Sequence, residues 1–211
     1  MPVLDPLDAY LRWADRYPAE AHNELMRMEQ SAMLDLLPEL ENKTILDLAC
    51  GSGRYLEIAR GKKTKMVCGL DFSAPMLLHA RLASKNLVLA DMSHIPMDSL
   101  SFDVIICGLA IGHCLELEPV FSEISRILRP GGFVIYSDLH PFGKIAGWKR
   151  IFRDVNGREV SVRHYFHLYN EHHRACRENG LVIDDIREPL IEGGHRWSGS
   201  PAVLAVRARK Q

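Results

Sequence analysis

The stretch that decides the fold is ILDLACGSGRY, residues 45–55, in which an apolar run meets an acid and then a loop with two glycines. Such a run favours a buried strand, and the residues after Gly53 have a helical pattern. Glycine has no Cβ, so a turn built with it brings its backbone close to a bound small molecule. The stretch therefore predicts a strand, a ligand-binding turn and a helix.

The plan of an apolar strand that ends in an acid recurs twice downstream. MVCGLD (residues 66–71) ends in Asp71, and LVLAD (residues 87–91) ends in Asp91. Asp71 follows the glycine loop by about 20 residues, the spacing at which an acid holds a ribose diol in doubly wound folds. Together with Asp47, these acids predict a nucleoside pocket along the carboxyl edge of a parallel sheet.

The sequence also disfavours two nucleotide cofactors. A dinucleotide fingerprint needs a third glycine three places after Gly53, and that position is Leu56. A phosphate loop needs a lysine followed by serine or threonine, and neither follows Gly53. The pattern thus argues against a diphosphate cradle and against a nicotinamide-dependent oxidoreductase.

In these motifs the chain resembles the class I S-adenosylmethionine-dependent methyltransferases, whose first motif reads acid-x-Gly-x-Gly-x-Gly. Here that motif is DLACGSG (residues 47–53), with Ala49 in place of the first glycine. The segments GLDFSAPM (69–76), ADM (90–92), SFDVIIC (101–107) and ISRILRPGG (124–132) match later motifs in order and spacing. The resemblance covers about residues 43–138, and the branch it most resembles contains the malonyl-carrier-protein methyltransferase of biotin synthesis and the quinone-biosynthesis methyltransferases.

The resemblance implies S-adenosylmethionine as methyl donor, with S-adenosylhomocysteine as product. The acid at Asp71 would take the ribose hydroxyls, Phe72 would flank the adenine, and Asp91 would accept from the adenine amino group. Arg54 is either a partner of the cofactor carboxylate or a solvated first-turn residue. The residues predicted to bind the cofactor are Tyr10, Asp47, Ala49, Gly51, Gly53, Arg54, Asp71, Phe72, Ser73, Met76, Asp91, Met92 and Leu109.

The implied reaction requires little acid–base catalysis from the protein. A sulfonium methyl group is already electrophilic, so alignment and exclusion of water do most of the work. A general base is needed only when the acceptor still holds a proton. His113, just beyond the fourth strand, is the catalytic candidate, although it could equally be a loop histidine that packs on the cofactor. His164, His167, His172 and His173 lack a known zinc spacing, so no metal site is predicted.

The fold predicted from the alternating pattern is α/β, a doubly wound, mostly parallel sheet of seven strands with a Rossmann-like topology. The predicted strands are 44–49, 65–71, 86–90, 103–109, 132–138, 181–188 and 202–209, and the helices are 54–60, 74–84, 117–129 and 170–179. The 211 residues form one methyltransferase domain. Its parts are an N-terminal helical lid (1–40), a cofactor-binding core (43–138), a substrate-side hairpin insertion (140–169) and a C-terminal helix and strand pair (170–211).

The insertion carries the strongest turn signal of the chain. The runs IFRDV (151–155) and REVSV (158–162) flank Asn156-Gly157, which predicts a hairpin with a type I′ turn. The hairpin follows the fifth strand, so it would cover the substrate or, alternatively, decorate the surface. The basic residues Lys149, Arg150 and Arg153 would grip an acidic acceptor and leave the cofactor alone, or form a solvated face. One predicted helical face carries Tyr10, Trp13 and Tyr17. These residues would either pack in the core or form a lid over the methionine part of the cofactor.

Composition limits the partners. The formal charge of −1 gives no basic field for nucleic acid, and the longest nearly apolar run, 104–112, is too short to span a bilayer. Five cysteines without C-x-x-C pairing fit reduced thiols, so a cytoplasmic location is predicted. The predicted function is methyl transfer to a small-molecule or carrier-bound acceptor, most readily at oxygen. The alternative is a non-catalytic S-adenosylmethionine-binding sensor or partner subunit, and the oligomeric state stays open.

Overall fold

The structure is a computed structural model that describes residues 1–154, 156–194 and 196–211. Its strands, in chain order, are β1 (Val3–Leu4), β2 (Thr44–Leu48), β3 (Met66–Asp71), β4 (Leu87–Leu89), β5 (Phe102–Cys107), β6 (Leu128–Leu139), β7 (Arg150–Arg153), β8 (Glu159–Val162), β9 (Leu181–Arg187) and β10 (Val203–Lys210). Its helices are α1 (Pro6–Trp13), α2 (Glu24–Leu36), α3 (Arg54–Arg60), α4 (Ala74–Ala80), α5 (Glu118–Ile127), α6 (Phe142–Ala146) and α7 (Tyr169–Glu178).

Seven strands form the main sheet in the order β4-β3-β2-β5-β6-β10-β9. β10 runs antiparallel to both of its neighbours, and the other pairs are parallel. The order reverses between β2 and β5, and ligands of open α/β sheets bind at the carboxyl ends of strands beside such a switch point. The prediction of a doubly wound, mostly parallel seven-stranded sheet is confirmed.

Helices cover both faces of this sheet because successive strand residues point to opposite sides. On one face, Leu46 and Ile105 pack in a cluster that includes α5 and α7. On the other face, Ile45 and Ile106 pack in a cluster that includes α2 and α3. The side chains of all four strand residues are fully buried. The core therefore has three layers, with helices on both sides of the sheet. The candidate ligand site lies at the carboxyl edge of the sheet.

The predicted elements are present with shifted ends. The predicted helix 74–84 stops at Ala80, whose carbonyl accepts from the amides of Ala83 and Ser84 in a turn. The N-terminal segment is helical as α1 and α2, but it also contains the unpredicted strand β1. Helix α6, inside the predicted insertion, was missed because it has only five residues. Among the described residues, no helix has the length and apolar character needed to cross a membrane.

A second sheet joins the N-terminal segment to the predicted hairpin of the insertion. β8 pairs antiparallel with β7 and parallel with β1, so the N-terminal strand completes the hairpin. The amide of Ser161 donates to the carbonyl of Pro2 at 3.0 Å, and the amide of Arg163 donates to that of Leu4 at 2.8 Å. We call β1, α1, β7 and β8 together the roof. The roof packs its buried side chains on Met76 of α4.

The hairpin turn differs from the predicted type I′ turn. Arg153 pairs with Glu159, which leaves one residue more in the loop than a two-residue turn at Asn156-Gly157 allows. The amide of Gly157, at φ +75°, donates to the carbonyl of Asp154 at 2.9 Å. The register and this left-handed glycine both differ from a two-residue type I′ turn. Val155, part of the predicted hairpin, lies outside the described residues.

Candidate functional site

A cavity of about 360 Å³ lies between the carboxyl edge of the main sheet and the roof. We call it the donor cavity. Its volume is within the range of small-molecule sites. The predicted site residues that line it are Tyr10, Ala49, Gly51, Asp71, Phe72, Met76, Asp91, Met92, Leu109 and His113. Its wall also includes residues outside the predicted cofactor-binding set, namely Asp5, Pro6, Leu7, Tyr17, Leu70, Ala90, Gly108, Ala110, Cys114 and Arg150.

The glycine loop leaves open space beside its backbone. Gly51 has φ +54°, and a Cβ built on it would meet no atom within 4 Å. At Gly53, with φ +98°, a Cβ would come within 3.2 Å of Ala80. Gly51 thus keeps the cavity wide, whereas Gly53 lets the loop pack on α4. Ala49, at φ +57°, holds a left-handed conformation that costs a residue with a Cβ about 1–2 kcal/mol.

Asp71 stands at the end of β3 with its carboxylate in the cavity wall. One carboxylate oxygen accepts from the amide of Gly51 and the other from the amide of Ser73, each at 2.8 Å. Burial raises the pKa of Asp71 to about 6, although these backbone hydrogen bonds oppose the shift. The carboxylate is therefore fixed in direction, and each oxygen has a second lone pair to accept from a ligand hydroxyl.

The far end of the cavity is formed by Asp91, Met92 and Phe72. Asp91 is exposed, and one of its carboxylate oxygens accepts from the amide and hydroxyl of Ser93 at 2.8 and 2.6 Å. An acceptor group beside a thioether and an aromatic ring suits a flat heterocycle with an amino group. At the opposite end, Leu109 has φ +56°. Strained backbone thus lines the cavity at Ala49 and Leu109, after the neighbouring strands β2 and β5, as is common at functional sites.

Four residues predicted to bind the cofactor do not line the cavity in the described structure. Asp47 lies below the loop, where its carboxylate accepts from the amide of Leu56 at 3.1 Å, and burial raises its pKa well above the usual range. Gly53 packs on α4, and Ser73 is fully buried. The guanidinium of Arg54 pairs with the carboxylate of Glu29 at 2.7 Å instead of facing the cavity.

Glu29 is a buried polar centre that the sequence analysis missed. Its carboxylate is fully buried and accepts from the hydroxyls of Tyr55 and Ser137 at 2.8 and 2.6 Å. Through these contacts and Arg54 it joins α2, α3 and β6 below the donor cavity. Its position in an amphipathic helix gave no signal, because a glutamate there reads as a solvent-facing residue.

His113 lies in a hydrogen-bonded chain between the sheet and the roof. Its Nδ1 is 3.1 Å from the carbonyl oxygen of Arg163, and its Nε2 is 2.9 Å from the hydroxyl of Tyr10. A carbonyl only accepts, so this pattern assigns the proton to Nδ1 and makes Nε2 the acceptor of the Tyr10 hydroxyl. Burial, together with the nearby Arg150, lowers the pKa of His113 to about 3. The imidazole is therefore neutral at working pH and accepts at the cavity.

The segment that carries His113 is anchored by Asp138, at the end of β6. Its carboxylate accepts from the amide of Gly112 and from His164 Nε2, the latter at 2.7 Å. Burial raises the pKa of Asp138, but the charge and hydrogen bond of His164 together with the nearby His113 and Arg150 outweigh it, so the net pKa lies below the usual range. The rule that located Asp71 and Asp91, an acid at the carboxyl end of a strand, would also have located Asp138.

The predicted basic patch is divided by the fold. Arg150 lines the donor cavity, and its guanidinium donates to the carbonyl of Leu109 at 2.7 Å. Arg153 instead pairs with Glu159 at 3.2 Å, with 72% of its side chain exposed, and lines no cavity in the described residues. Strand alternation puts residues 150 and 153 on opposite faces of β7. The three residues of the patch therefore do not form one surface: Arg150 lines the donor cavity, whereas Arg153 fits the alternative of a solvated face.

The histidines of the insertion have separate contacts. His164 pairs with Asp138, and His167 Nε2 is 2.8 Å from the carbonyl of Cys114. His172 stacks on Tyr136 with 5.6 Å between ring centroids. In the part of the chain that the structure describes, no group of three or more histidine, cysteine, aspartate or glutamate residues has the arrangement of a metal site.

Comparison of the amino-acid sequence with known proteins finds similar methyltransferases. Residues 46–136 match a family model described as a methyltransferase domain. The malonyl-[acyl-carrier protein] O-methyltransferase of Salmonella typhimurium is 37% identical over 133 residues, which cover 62% of this chain and 52% of that protein. The phthiotriol/phenolphthiotriol dimycocerosates methyltransferase of Mycobacterium leprae is 30% identical over 165 residues, 75% of this chain and 59% of that protein. The chain thus spans about half the length of these curated relatives.

A solved structure agrees with the sheet order. An S-adenosylmethionine-dependent methyltransferase from Mesorhizobium loti matches with a TM-score of 0.71 at 23% identity, over 87% of this chain and 98% of that chain. The match extends well beyond the residues of the family model. It therefore includes strands on both sides of the switch point and confirms the Rossmann-like topology.

Proposed function

We propose that this chain, whose residues 46–136 match a methyltransferase domain, is a class I S-adenosylmethionine-dependent methyltransferase that transfers a methyl group to a small or carrier-bound acceptor, at oxygen. S-adenosylmethionine supplies the electrophilic methyl group and leaves as S-adenosylhomocysteine. The observation that carries the proposal is the open space at Gly51 beside the carboxylate of Asp71, on the wall of one cavity.

The donor cavity fits the two polar ends of an adenosine group. Asp71 would accept from the ribose hydroxyls as charge-assisted hydrogen bonds, and Asp91 would accept from the adenine amino group, between Phe72 and Met92. The methionine part would then extend past Gly51 toward Leu109. This orientation directs the methyl group toward the end of the cavity formed by Leu109, His113 and Arg150.

Oxygen is favoured as the methylated atom by the state of His113. A general base works best when its pKa is near the working pH, and that of His113 is about 3. A carboxylate acceptor has no proton to lose, so it can react beside a weakly basic imidazole. For a hydroxyl acceptor, Nε2 of His113 would have to take the proton after Tyr10 moves away. The role of His113 as a catalytic base stays a prediction.

The enzyme is favoured over a sensor by the space next to the donor cavity. A second cavity shares Tyr17, Leu109 and Arg150 with it, so an acceptor has room beside the methyl group. The Salmonella typhimurium relative is named a malonyl-[acyl-carrier protein] O-methyltransferase, which is consistent with a carrier-bound acceptor near Arg150. We place the protein in the cytoplasm, and we assign it no nucleic acid or membrane partner.

The test compares two glycines of similar backbone geometry. Gly51→Val should abolish S-adenosylmethionine binding in titration calorimetry, because its side chain enters the donor cavity. Gly180→Val is the matched control: Gly180 has φ +68° and open space around its Cβ position, but it follows α7 away from the cavity. Normal binding by the Gly51 variant, or no binding by the wild type, would contradict the donor site. Release of S-adenosylhomocysteine with a methylated acceptor separates the enzyme from a sensor.

A further inference from the structure

The second cavity, which we call the acceptor cavity, has a volume of about 360 Å³. It lies between the start of α2, the β7 side of the roof, the end of β6 at Leu139 and the segment before β10. Tyr17, Leu109 and Arg150 line both cavities, so they form the shared wall. A molecule in one cavity therefore lies next to a molecule in the other, with these three residues at the boundary between them.

The walls of the acceptor cavity are unusually aromatic. All three tryptophans of the chain, Trp13, Trp148 and Trp197, line it. The ring of Trp13 stacks on Phe152 with 4.7 Å between centroids, and Trp148 meets Trp197 edge to face at 6.1 Å. Aliphatic side chains also line it, namely Leu25, Met26, Met28, Leu139, Ile151 and Ile191, and the polar residues His22, Asn23 and Glu24 line it at the start of α2. Ring faces and edges held in this way suit a flat apolar group, which stacks at 4.5–7 Å spacings.

Arg150 lies at the end of the acceptor cavity that faces the donor cavity. The guanidinium of Arg150 donates to the Leu109 carbonyl at 2.7 Å and also bonds the hydroxyl of Tyr17. The carboxylate of Asp138 acts on this guanidinium electrostatically, but among the described residues no direct salt bridge joins Arg150 to a carboxylate. The planar fork of a guanidinium matches a carboxylate, so it can still hold an acidic ligand. Lys149 adds a second positive charge on the wall.

From these contacts we propose that the acceptor cavity binds a flat aromatic carboxylic acid, with its ring among the tryptophans and its carboxylate on Arg150. This inference rests on the proposed function, because it takes the neighbouring cavity as the donor site. It specifies the acceptor class, which neither the family match nor the named relatives specify for this chain.

The arrangement also defines the reaction. One carboxylate oxygen stays on the guanidinium, and the other faces the donor across the shared wall. That oxygen forms a bond to the methyl carbon, the carbon–sulfur bond breaks, and its electron pair remains on sulfur. The products are a methyl ester and S-adenosylhomocysteine, and no proton is transferred. The weak basicity of His113 is compatible with this reaction, because no base is required.

Binding tests the inference without turnover. The protein is saturated with S-adenosylhomocysteine, so that probes cannot occupy the donor cavity, and is titrated with 2-naphthoate, 2-naphthamide and hexanoate in a calorimeter. We expect 2-naphthoate to bind about tenfold or more tightly than either control, since only it has both the ring and the charge. Tryptophan fluorescence should change with the same titration curve, because every tryptophan lies in this cavity. Equal affinities, or no fluorescence change, would overturn the proposal.

Two arginines of β7 provide a matched pair of variants. Arg150→Met should weaken 2-naphthoate by about tenfold or more and leave 2-naphthamide unchanged. Arg153→Met, which removes an exposed charge paired with Glu159, should change either affinity by less than about twofold. If Arg150→Met does not fold, the preference of the wild type for acid over amide still decides the question.

The carboxylate on Arg150 could also come from the donor, and a further pair of ligands separates the two sources. 5′-Methylthioadenosine lacks the amino acid part of S-adenosylhomocysteine. If Arg150→Met weakens S-adenosylhomocysteine but neither 5′-methylthioadenosine nor 2-naphthoate, the guanidinium serves the donor and the inference is overturned. If S-adenosylhomocysteine does not bind the wild type at all, the proposed function fails. If it binds but 2-naphthoate does not, only the acceptor assignment fails.

Discussion

The two sides of the donor cavity are held in different ways. On the sheet side, Asp71 is fixed by two backbone amides, and the loop helix α3 is tied by Arg54 to the fully buried Glu29. On the roof side, Tyr10 and Trp13 are held by aromatic contacts, and the ion pair between Asp5 and Arg163 is exposed. The sheet side is thus fixed by buried charge pairs and backbone amides, whereas the charge pair of the roof is exposed and contributes little in water.

We expect the largest effect on stability when the buried ion pair that supports the sheet side is removed. Glu29→Gln leaves Arg54, whose side chain is only 11% exposed, without a counter-charge. The free energy of unfolding in urea should fall by about 3–5 kcal/mol. The control is Glu57→Gln, because the pair of Glu57 with Arg60 is more than half exposed and should contribute at most about 1 kcal/mol. Equal losses for the two variants would remove the contrast between a buried support and a surface contact.

The next effect concerns the donor itself. Asp71→Ala should weaken S-adenosylmethionine binding by about 1.5–3 kcal/mol, the range for hydrogen bonds to a charged group. Titration calorimetry on the folded variant measures this change. Asp98→Ala, at an exposed position before β5, serves as the control and should bind normally. Unchanged affinity in the Asp71 variant would remove this carboxylate from the donor site and leave only Gly51 to mark it.

A pH titration sharpens the same point. Because burial raises the pKa of Asp71 to about 6, its carboxylate is charged above that pH and protonated below it. Ribose hydroxyls donate to the charged form, so affinity for S-adenosylhomocysteine should be constant above about pH 7 and fall about tenfold by pH 5. His113, with a pKa of about 3, stays neutral across this range. Asp71→Asn should flatten the profile, and a fall that survives in this variant would assign it to another group.

The smallest effect belongs to the roof. Asp5→Asn removes the ion pair with Arg163, in which the side chains are 59% and 47% exposed. The free energy of unfolding should change by no more than about 1 kcal/mol. A loss of several kcal/mol in urea unfolding would show that the roof is integrated with the core as firmly as the sheet side, and the contrast would fail.

The sheet side could be predicted because its signals are local. The glycine loop and the acids at Asp71 and Asp91 each follow an apolar strand within a few residues, so one rule found them. The strand β1 gave no such signal, since two residues carry no periodicity and its partner, β8, lies near the other end of the chain. The position of Arg54 was missed because its partner, Glu29, comes from a different helix. Contacts between distant elements depend on packing that pattern reading does not include.

The pairing of Val3 with Ser161 also has a consequence for the order of folding. Strands β2 to β6 follow one another through short connections, most of them helical, so their contacts can form while the chain is still being synthesised. The N-terminal strand must wait until β8 has left the ribosome, and it then closes a loop that contains most of the chain. The entropy of that closure grows only slowly with loop length. We therefore expect the residues of β1 to be among the last to reach their native contacts, with the cavity open until they do.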